Sequence, residues 1–210
     1  MQAARAGRHI ALCGGSTPGR AYELAAALEP DWSGAHIWFG DERAVAPDDD
    51  DSNFRLVREH LLDRVEAQPT VHRIRGELGA ALAAEAYEEE LHGVALDLVL
   101  LGVGPDGHTA SLFPHAPSLA VEDRRVVAAA GPPPEVGPTV ERVTLTIPAL
   151  RAARQVVFLV RGAEKAEPAR RAFADEPSEQ TPASLVRSQA GETIVLLDRD
   201  AALLLPPDDR

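Results

Sequence analysis

Cysteine is nearly absent. Cys13 is the only one in 210 residues, which rules out an intrachain disulfide and fits a reducing compartment. Its place in a short apolar run suits a small buried strand residue better than a nucleophile. Basic residues are outnumbered, 21 Lys and Arg against 33 Asp and Glu, for a net charge of -12. That balance argues against nucleic acid or an anionic membrane as partner, because phosphate backbones demand clustered cations. A small anionic substrate stays compatible if a local pocket is cationic, so the few basic residues in loops are more informative than those on helices. Long apolar runs are missing too. The start, MQAARAGRHIALCGG, lacks the apolar core of a signal peptide, and no stretch approaches transmembrane length. A cytoplasmic protein is expected. No internal repeat is visible, and the length suits one domain able to cover both faces of a central sheet.

What is present is organised around residues 96–114, LDLVLLGVGPDGHTASLFP. Leu98 to Leu101 is an uncharged run without alternation, as in a strand buried on both faces of a parallel sheet. It stops at Gly102, after which Asp106, His108, Thr109 and Ser111 crowd into a glycine-rich loop. In open α/β sheets the crevice beyond the strand C-termini is where ligands bind. A plain Asp-Gly turn explains the bend but not an imidazole, a carboxylate and two hydroxyls together.

The rest of the chain alternates strands and helices. Ile10 to Cys13 reads as a strand, then Gly14-Gly15-Ser16-Thr17-Pro18, then a helix carrying Tyr22, Leu24, Ala25 and Leu28 at helical spacing. Free N–H groups and hydroxyls at such a helix start make an anion site. The loop lacks the Gly-Lys-Ser/Thr of a nucleotide P-loop and the third glycine of a dinucleotide fingerprint. His36 to Phe39 is a second strand ending in a polar loop, Gly40 to Arg43, followed by a helix over Phe54 to Arg64 capped by Ser52 or Asn53. Asp48 to Asp51 reads as a solvated acidic turn at a helix N-terminus rather than a metal site, because adjacent positions point in different directions. An acidic helix spans Ala80 to His92, strands span Arg125 to Ala130 and Arg142 to Thr146, and a proline-rich connector, Pro132 to Pro138, lies between those strands. Gln155 to Val160 is a further buried strand. Gly162 to Lys165 opens a helix, where the dipole disfavours a cation unless Lys165 reaches into an anion pocket. A short helix at Pro182 to Arg187, a strand at Ile194 to Leu197 and a last short helix close the chain.

Five segments in order, GGSTP, GDER with Ser52-Asn53, GVGPDGHTASLFP, RVTLT and GAEK, resemble the signatures of the 6-phosphogluconolactonases over nearly the whole chain. One departure is Val45-Ala46-Pro47, where the family usually has Val-Pro. The resemblance implies an α/β, Rossmann-like three-layer fold with a mostly parallel central sheet, of the sugar-phosphate deaminase/lactonase type, as one domain over residues 1–210. The family usually carries an amphipathic helix before the first strand; only Met1 to His9 precede Ile10. Apolar surface is therefore expected to lie open, with weak homo-oligomerisation as one way of covering it, and Gly7 stands where such a helix would end.

The reaction implied is hydrolysis of 6-phosphogluconolactone to 6-phosphogluconate in the oxidative pentose phosphate pathway, with no cofactor and no metal. His108 is the expected general base, Asp106 the residue that orients it, and Arg43 the cation for the developing oxyanion. His115, just past the matched segment, is a second candidate for the base, with a surface position as its alternative role. The substrate phosphate is assigned to Gly15, Ser16 and Thr17 with Arg142 and Lys165, and Gly14 and Asp41 complete the binding set. Two alternatives stand beside this. An amino-sugar-phosphate deaminase or isomerase uses the same scaffold, but those enzymes carry a Glu seven residues after the Asp of Asp-Gly-His, where this chain has Phe113. A non-catalytic sugar-phosphate sensor would need neither His108 nor Arg43.

Overall fold

The structure, a computed structural model, describes residues 7–206. Its strands are β1 (His9–Leu12), β2 (His36–Phe39), β3 (Asp41–Arg43), β4 (Thr70–Val71), β5 (Leu98–Leu101), β6 (Val126–Ala129), β7 (Arg142–Leu145), β8 (Gln155–Val160) and β9 (Glu192–Leu197). Its helices are α1 (Ser16–Leu28), α2 (Asn53–His60), α3 (Ala80–Leu91), α4 (Ile147–Arg151) and α5 (Ala166–Phe173). Six strands form one sheet in the order β4-β2-β1-β5-β8-β9, with every pairing parallel. The chain starts at the centre with β1, builds outward through β2 to β4, then returns to add β5, β8 and β9 on the other side. The reversal leaves a crevice at the C-terminal ends of β1 and β5.

Helices cover both faces. Trp38 and Phe39 are consecutive in β2 and so point to opposite sides of the sheet. Trp38 meets Tyr87 of α3 at 5.8 Å between ring centroids, whereas Phe39 meets Phe54 of α2 at 6.1 Å. The α/β layering and mostly parallel sheet expected from the sequence are therefore present. Burial is uneven across β5, however. Val99 and Leu101 are fully buried, but Leu98 and Leu100 are only partly so, because the sheet toward β9 is thinly covered on that side. Leu196 of β9 is 50% exposed, and α1 presents Leu24 and Leu28 at 50% and 67%. The expected tail of an earlier helix falls on residues 1–6, outside the described residues; Gly7 itself has a left-handed φ of 63°.

Several local expectations are corrected. Asp41 to Arg43 is not a loop but a strand in a separate three-stranded antiparallel sheet, β3-β7-β6. Gly40 is the pivot: its N–H bonds Leu12 O at 2.9 Å while its carbonyl accepts from Leu145 N at 2.9 Å, so one residue serves both sheets. Helix α2 stops at His60, and Leu62–Arg64 is a 3-10 turn. Leu61 and Leu62 are both buried. Residues 182–185 are a 3-10 turn rather than an α-helix, and residues 199–205 form turns instead of a closing helix.

Candidate active site

A cleft of about 260 Å³ opens at the switch point, lined by the loops after β1, β5 and β8 and by β3. From β1 come Gly14, Gly15, Ser16 and Thr17. Gly15 takes a φ of 108°, a value that L side chains rarely adopt, and caps α1 without a side-chain hydrogen bond. The first helical bond is Gly19 N to Gly15 O at 3.0 Å, and Pro18 has no N–H. The amides and hydroxyls of Ser16 and Thr17 make no hydrogen bond among the described residues, at the positive end of a 13-residue helix. Cys13 is buried behind them, its thiol pushed up to about 12 by burial and by Asp41, so it is no thiolate at neutral pH. Gly14 is fixed by contact: a Cβ there would stand 1.9 Å from Asn53 Oδ1.

The Asp-Glu-Arg triplet acts through strand alternation, which sends its first and third side chains one way and its second the other. Asp41 and Arg43 line the cleft. Glu42 points away and, although buried, accepts from the amides of Asn53 and Phe54 at 2.7 Å each and from Arg43 N at 2.8 Å. It thereby closes the start of α2, together with Ser52, whose hydroxyl takes Arg55 N at 3.1 Å. Burial raises the Glu42 carboxyl against the pull of those amides. Asp41 is bound on both oxygens, Oδ2 by Ser111 Oγ at 2.6 Å and Oδ1 by Asn53 Nδ2 at 3.2 Å. It therefore joins β3 to the loop after β5. Arg43 donates from Nη1 to Asp51 O, and its Nε is buried without a partner. The acidic turn is thus used through a backbone carbonyl, with Asp50 paired to Arg55.

The loop after β5 holds the imidazole. His108 Nδ1 lies 2.5 Å from Asp106 Oδ1, and the same oxygen accepts His108 N at 3.1 Å. Burial pushes the Asp106 carboxyl up, but the His108 bonds outweigh it and hold the group below its ordinary range. An ionised Asp106 can only accept, so Nδ1 carries the proton, and in the neutral ring Nε2 is the nitrogen left to accept one. The ring packs over Gly104, where a Cβ would come within 2.0 Å of Nδ1, and against Phe113 with centroids 4.8 Å apart. Thr109 Oγ1 ties the loop to Gly102 O at 2.9 Å. Arg171 of α5 secures it from outside, donating to Pro105 O at 2.9 Å and Asp106 O at 3.3 Å.

Of the remaining candidates, Lys165 lines the cleft and two others do not. Lys165 sits in a 3-10 turn before α5, not inside a helix, and donates from Nζ to Val103 O at 2.8 Å. Burial lowers its pKa. Arg142 is buried outside the lining, its guanidinium spent on Val140 O and Pro138 O at 2.7 Å each. The proline-rich connector offers carbonyls that compete for it. His115 is exposed, at φ 58°, and its N–H bonds Glu179 O at 3.3 Å. Asn53, Thr109 and Arg161 also line the cleft. For Arg161 a signal was available in its position directly after a buried strand and before Gly162, the placement that made the loop after β5 conspicuous.

A family profile described as glucosamine-6-phosphate isomerases/6-phosphogluconolactonase matches residues 1–195. The chain belongs to this family. It is 42% identical to a Synechocystis protein named 6-phosphogluconolactonase, over 94% of this chain and 85% of that one. It is 39% identical to the Homo sapiens protein of the same name, over 98% and 83%. The solved 6-phosphogluconolactonase from Trypanosoma cruzi superposes with a TM-score of 0.82 at 31% identity, covering 94% of this chain and 84% of that one. A monomeric glucosamine-6-phosphate deaminase, at 21% identity and a TM-score of 0.76, shares the fold. No described helix is long and apolar enough to cross a membrane.

Proposed function

We propose that the chain hydrolyses 6-phosphogluconolactone to 6-phosphogluconate. The observation that carries this reading is the His108–Asp106 pair, held at 2.5 Å in a cleft shared with the start of α1 and with Arg43 and Lys165. A lactone is an activated ester, so one base acting on water is sufficient, and such a base is worth roughly 10²–10⁴ in rate. His108 Nε2 takes a proton from water as its oxygen attacks the lactone carbonyl carbon. Asp106 keeps Nδ1 protonated and stabilises the imidazolium that forms. Arg43 faces the carbonyl oxygen as it gains charge. The tetrahedral intermediate then collapses: the ring C–O bond breaks, the leaving alkoxide recovers the proton from His108, and the new carboxylic acid loses its remaining proton to solvent and departs as the open-chain carboxylate. Ser16, Thr17 and the Gly14-Gly15 turn take the phosphate with Lys165. Asp41 acts by holding the His108 loop to β3 through Ser111.

The deciding experiment is hydrolysis of 6-phosphogluconolactone by purified protein, corrected for spontaneous opening, beside His108→Ala and an ammonia assay with glucosamine 6-phosphate. Turnover is expected in the wild type, with kcat at least ~10²-fold lower in the variant while 6-phosphogluconate still binds. No ammonia is expected. Ammonia release at a useful rate, without lactone hydrolysis, would reverse the assignment.

A further inference from the structure

Arg161 follows the last residue of β8 and lines the cleft at the same edge of the sheet as Gly14 and Gly102. The other cleft cations each give one donor to a backbone carbonyl, Arg43 to Asp51 O and Lys165 to Val103 O. Arg142, the arginine that the sequence assigned to the phosphate, is turned into the proline-rich connector. Arg161 differs from all three. Its side chain is 70% exposed, and its ion-pair partner among the described residues is Asp198, 3.7 Å from Nε, too far for a hydrogen bond.

The register explains that neighbour. Val160 pairs with Leu197 across β8 and β9, so the next residues, Arg161 and Asp198, leave the sheet side by side. The Asp198 oxygens are already engaged by backbone amides, Oδ1 by Ala201 N at 2.8 Å and by Gly162 N at 3.1 Å. Those bonds keep the carboxyl low and ionised, close enough to hold the arginine side chain near the cleft without consuming its donors. A guanidinium has five N–H donors in a fork that matches two oxygens of a phosphate.

We propose that Arg161 is a specificity-determining residue: it swings from Asp198 onto the phosphate group of the substrate and discriminates phosphorylated from neutral sugar lactones. This rests on the lactonase reading above. It assigns to Arg161 the charge-assisted contact that Arg142 does not offer, with Ser16, Thr17 and Lys165 on the same group.

The test compares the wild-type protein with Arg161→Ala and Arg161→Lys, substitutions at an exposed site that leave folding intact. Binding of inorganic phosphate and of 6-phosphogluconate is measured by titration calorimetry, and KM and kcat are measured for 6-phosphogluconolactone and for unphosphorylated gluconolactone. In Arg161→Ala both anions should bind about tenfold or more weakly, the loss of one charge-assisted contact. KM for the phosphorylated lactone should rise by the same factor with kcat unchanged, and gluconolactone kinetics should not move. Arg161→Lys should recover part of the loss. Unchanged anion affinity, or equal losses on both lactones, overturns the proposal. If the wild type turns over neither lactone, the lactonase reading fails, and the calorimetric arm still decides whether Arg161 binds phosphate.

Discussion

Gly104→Ala is the smallest change that should separate the proposed catalytic pair from the fold. A Cβ at position 104 would stand 2.0 Å from His108 Nδ1, 2.2 Å from Cε1 and 2.7 Å from Cγ. Ordinary contact needs about 3.5 Å, so the ring must retreat by about 1.5 Å. That retreat cannot be absorbed by a 2.5 Å hydrogen bond, and the link to Asp106 Oδ1 is lost. Gly104 does not have a positive φ, so the backbone tolerates alanine and the penalty is confined to the imidazole. Overpacking in a closed core costs roughly 1–3 kcal/mol. Here the obstructing group is a half-buried side chain at the edge of a cleft, which places the cost near the lower end. On the proposed mechanism activity depends on the displaced atoms and should fall by about 10²-fold or more, as for removal of a general base. The assay is kcat for lactone hydrolysis alongside the melting temperature and 6-phosphogluconate affinity of the same variant. A Gly104→Ala protein with wild-type kcat would show that His108 works without its contact to Asp106, or does not work as the base. A large loss of melting temperature with activity retained per folded molecule would refute the packing argument.

Two further predictions follow from charge. Lys165→Ala should weaken 6-phosphogluconate binding about tenfold while leaving activity on unphosphorylated gluconolactone within about twofold, read from KM for both substrates; equal losses would make the lysine a brace for Val103 O instead. Stability should fall in mild acid because of His9. Trp38 Nε1 donates to His9 Nδ1 at 2.9 Å, and an indole N–H cannot accept, so the folded state needs that nitrogen unprotonated. Burial, then the neighbouring His36, depresses the His9 pKa below its ordinary 6.5. The unfolded chain therefore binds this proton more readily, and the stabilisation is complete above pH 6.5 and lost as pH falls through the folded value. Melting temperatures between pH 7.5 and 5.5 should decline in the wild type and more shallowly in His9→Gln; parallel curves would remove His9 as the cause.

The main sheet was legible in the sequence because parallel strands buried within a layered fold are uninterrupted apolar runs, as at residues 37–39, 98–101 and 156–160. The small sheet was not. Asp41, Glu42 and Arg43 form a strand with no apolar residue, because the strand is specified by what its side chains meet: a cleft on one side and the amides of α2 on the other. The Glu42 contacts reach Asn53 and Phe54, eleven and twelve residues away, a pairing that no local periodicity encodes. Strand β4 has two residues, too few for any pattern. The closing segment carries Leu203, Leu204 and Leu205, which suggests a helix, but only Leu205 is buried and hydrophobic drive is lacking for more than turns.

The cleft was partly legible for a different reason: charge there is conspicuous because elsewhere it is neutralised locally. Arg55 pairs with Glu59 one turn along α2, Arg170 with Glu167 one turn back in α5, and Arg73 with Glu77 on the approach to α3. Such exposed pairs contribute little stability, but they remove those arginines from any long-range field. Among the described residues Arg43 and Lys165 hydrogen-bond to carbonyl oxygens, which engage one donor of each without cancelling its charge. Arg161 adds a third charge, its carboxylate neighbour held at 3.7 Å. A chain with a net charge of -12 can therefore present a positive mouth, because field lines from cations in a low-dielectric cleft focus outward while paired surface charges cancel within a Debye length. Arg142, which the resemblance places on the phosphate, is turned toward the connector for a similar reason. Its position on β7 beside Arg43 brings two cations together at a buried site, and burial together with that repulsion disfavours its charge. Connector carbonyls at Pro138 and Val140 stabilise it there. In sequence those carbonyls are indistinguishable from any others, so only the fold could assign Arg142 to the connector and leave Arg161 facing the cleft.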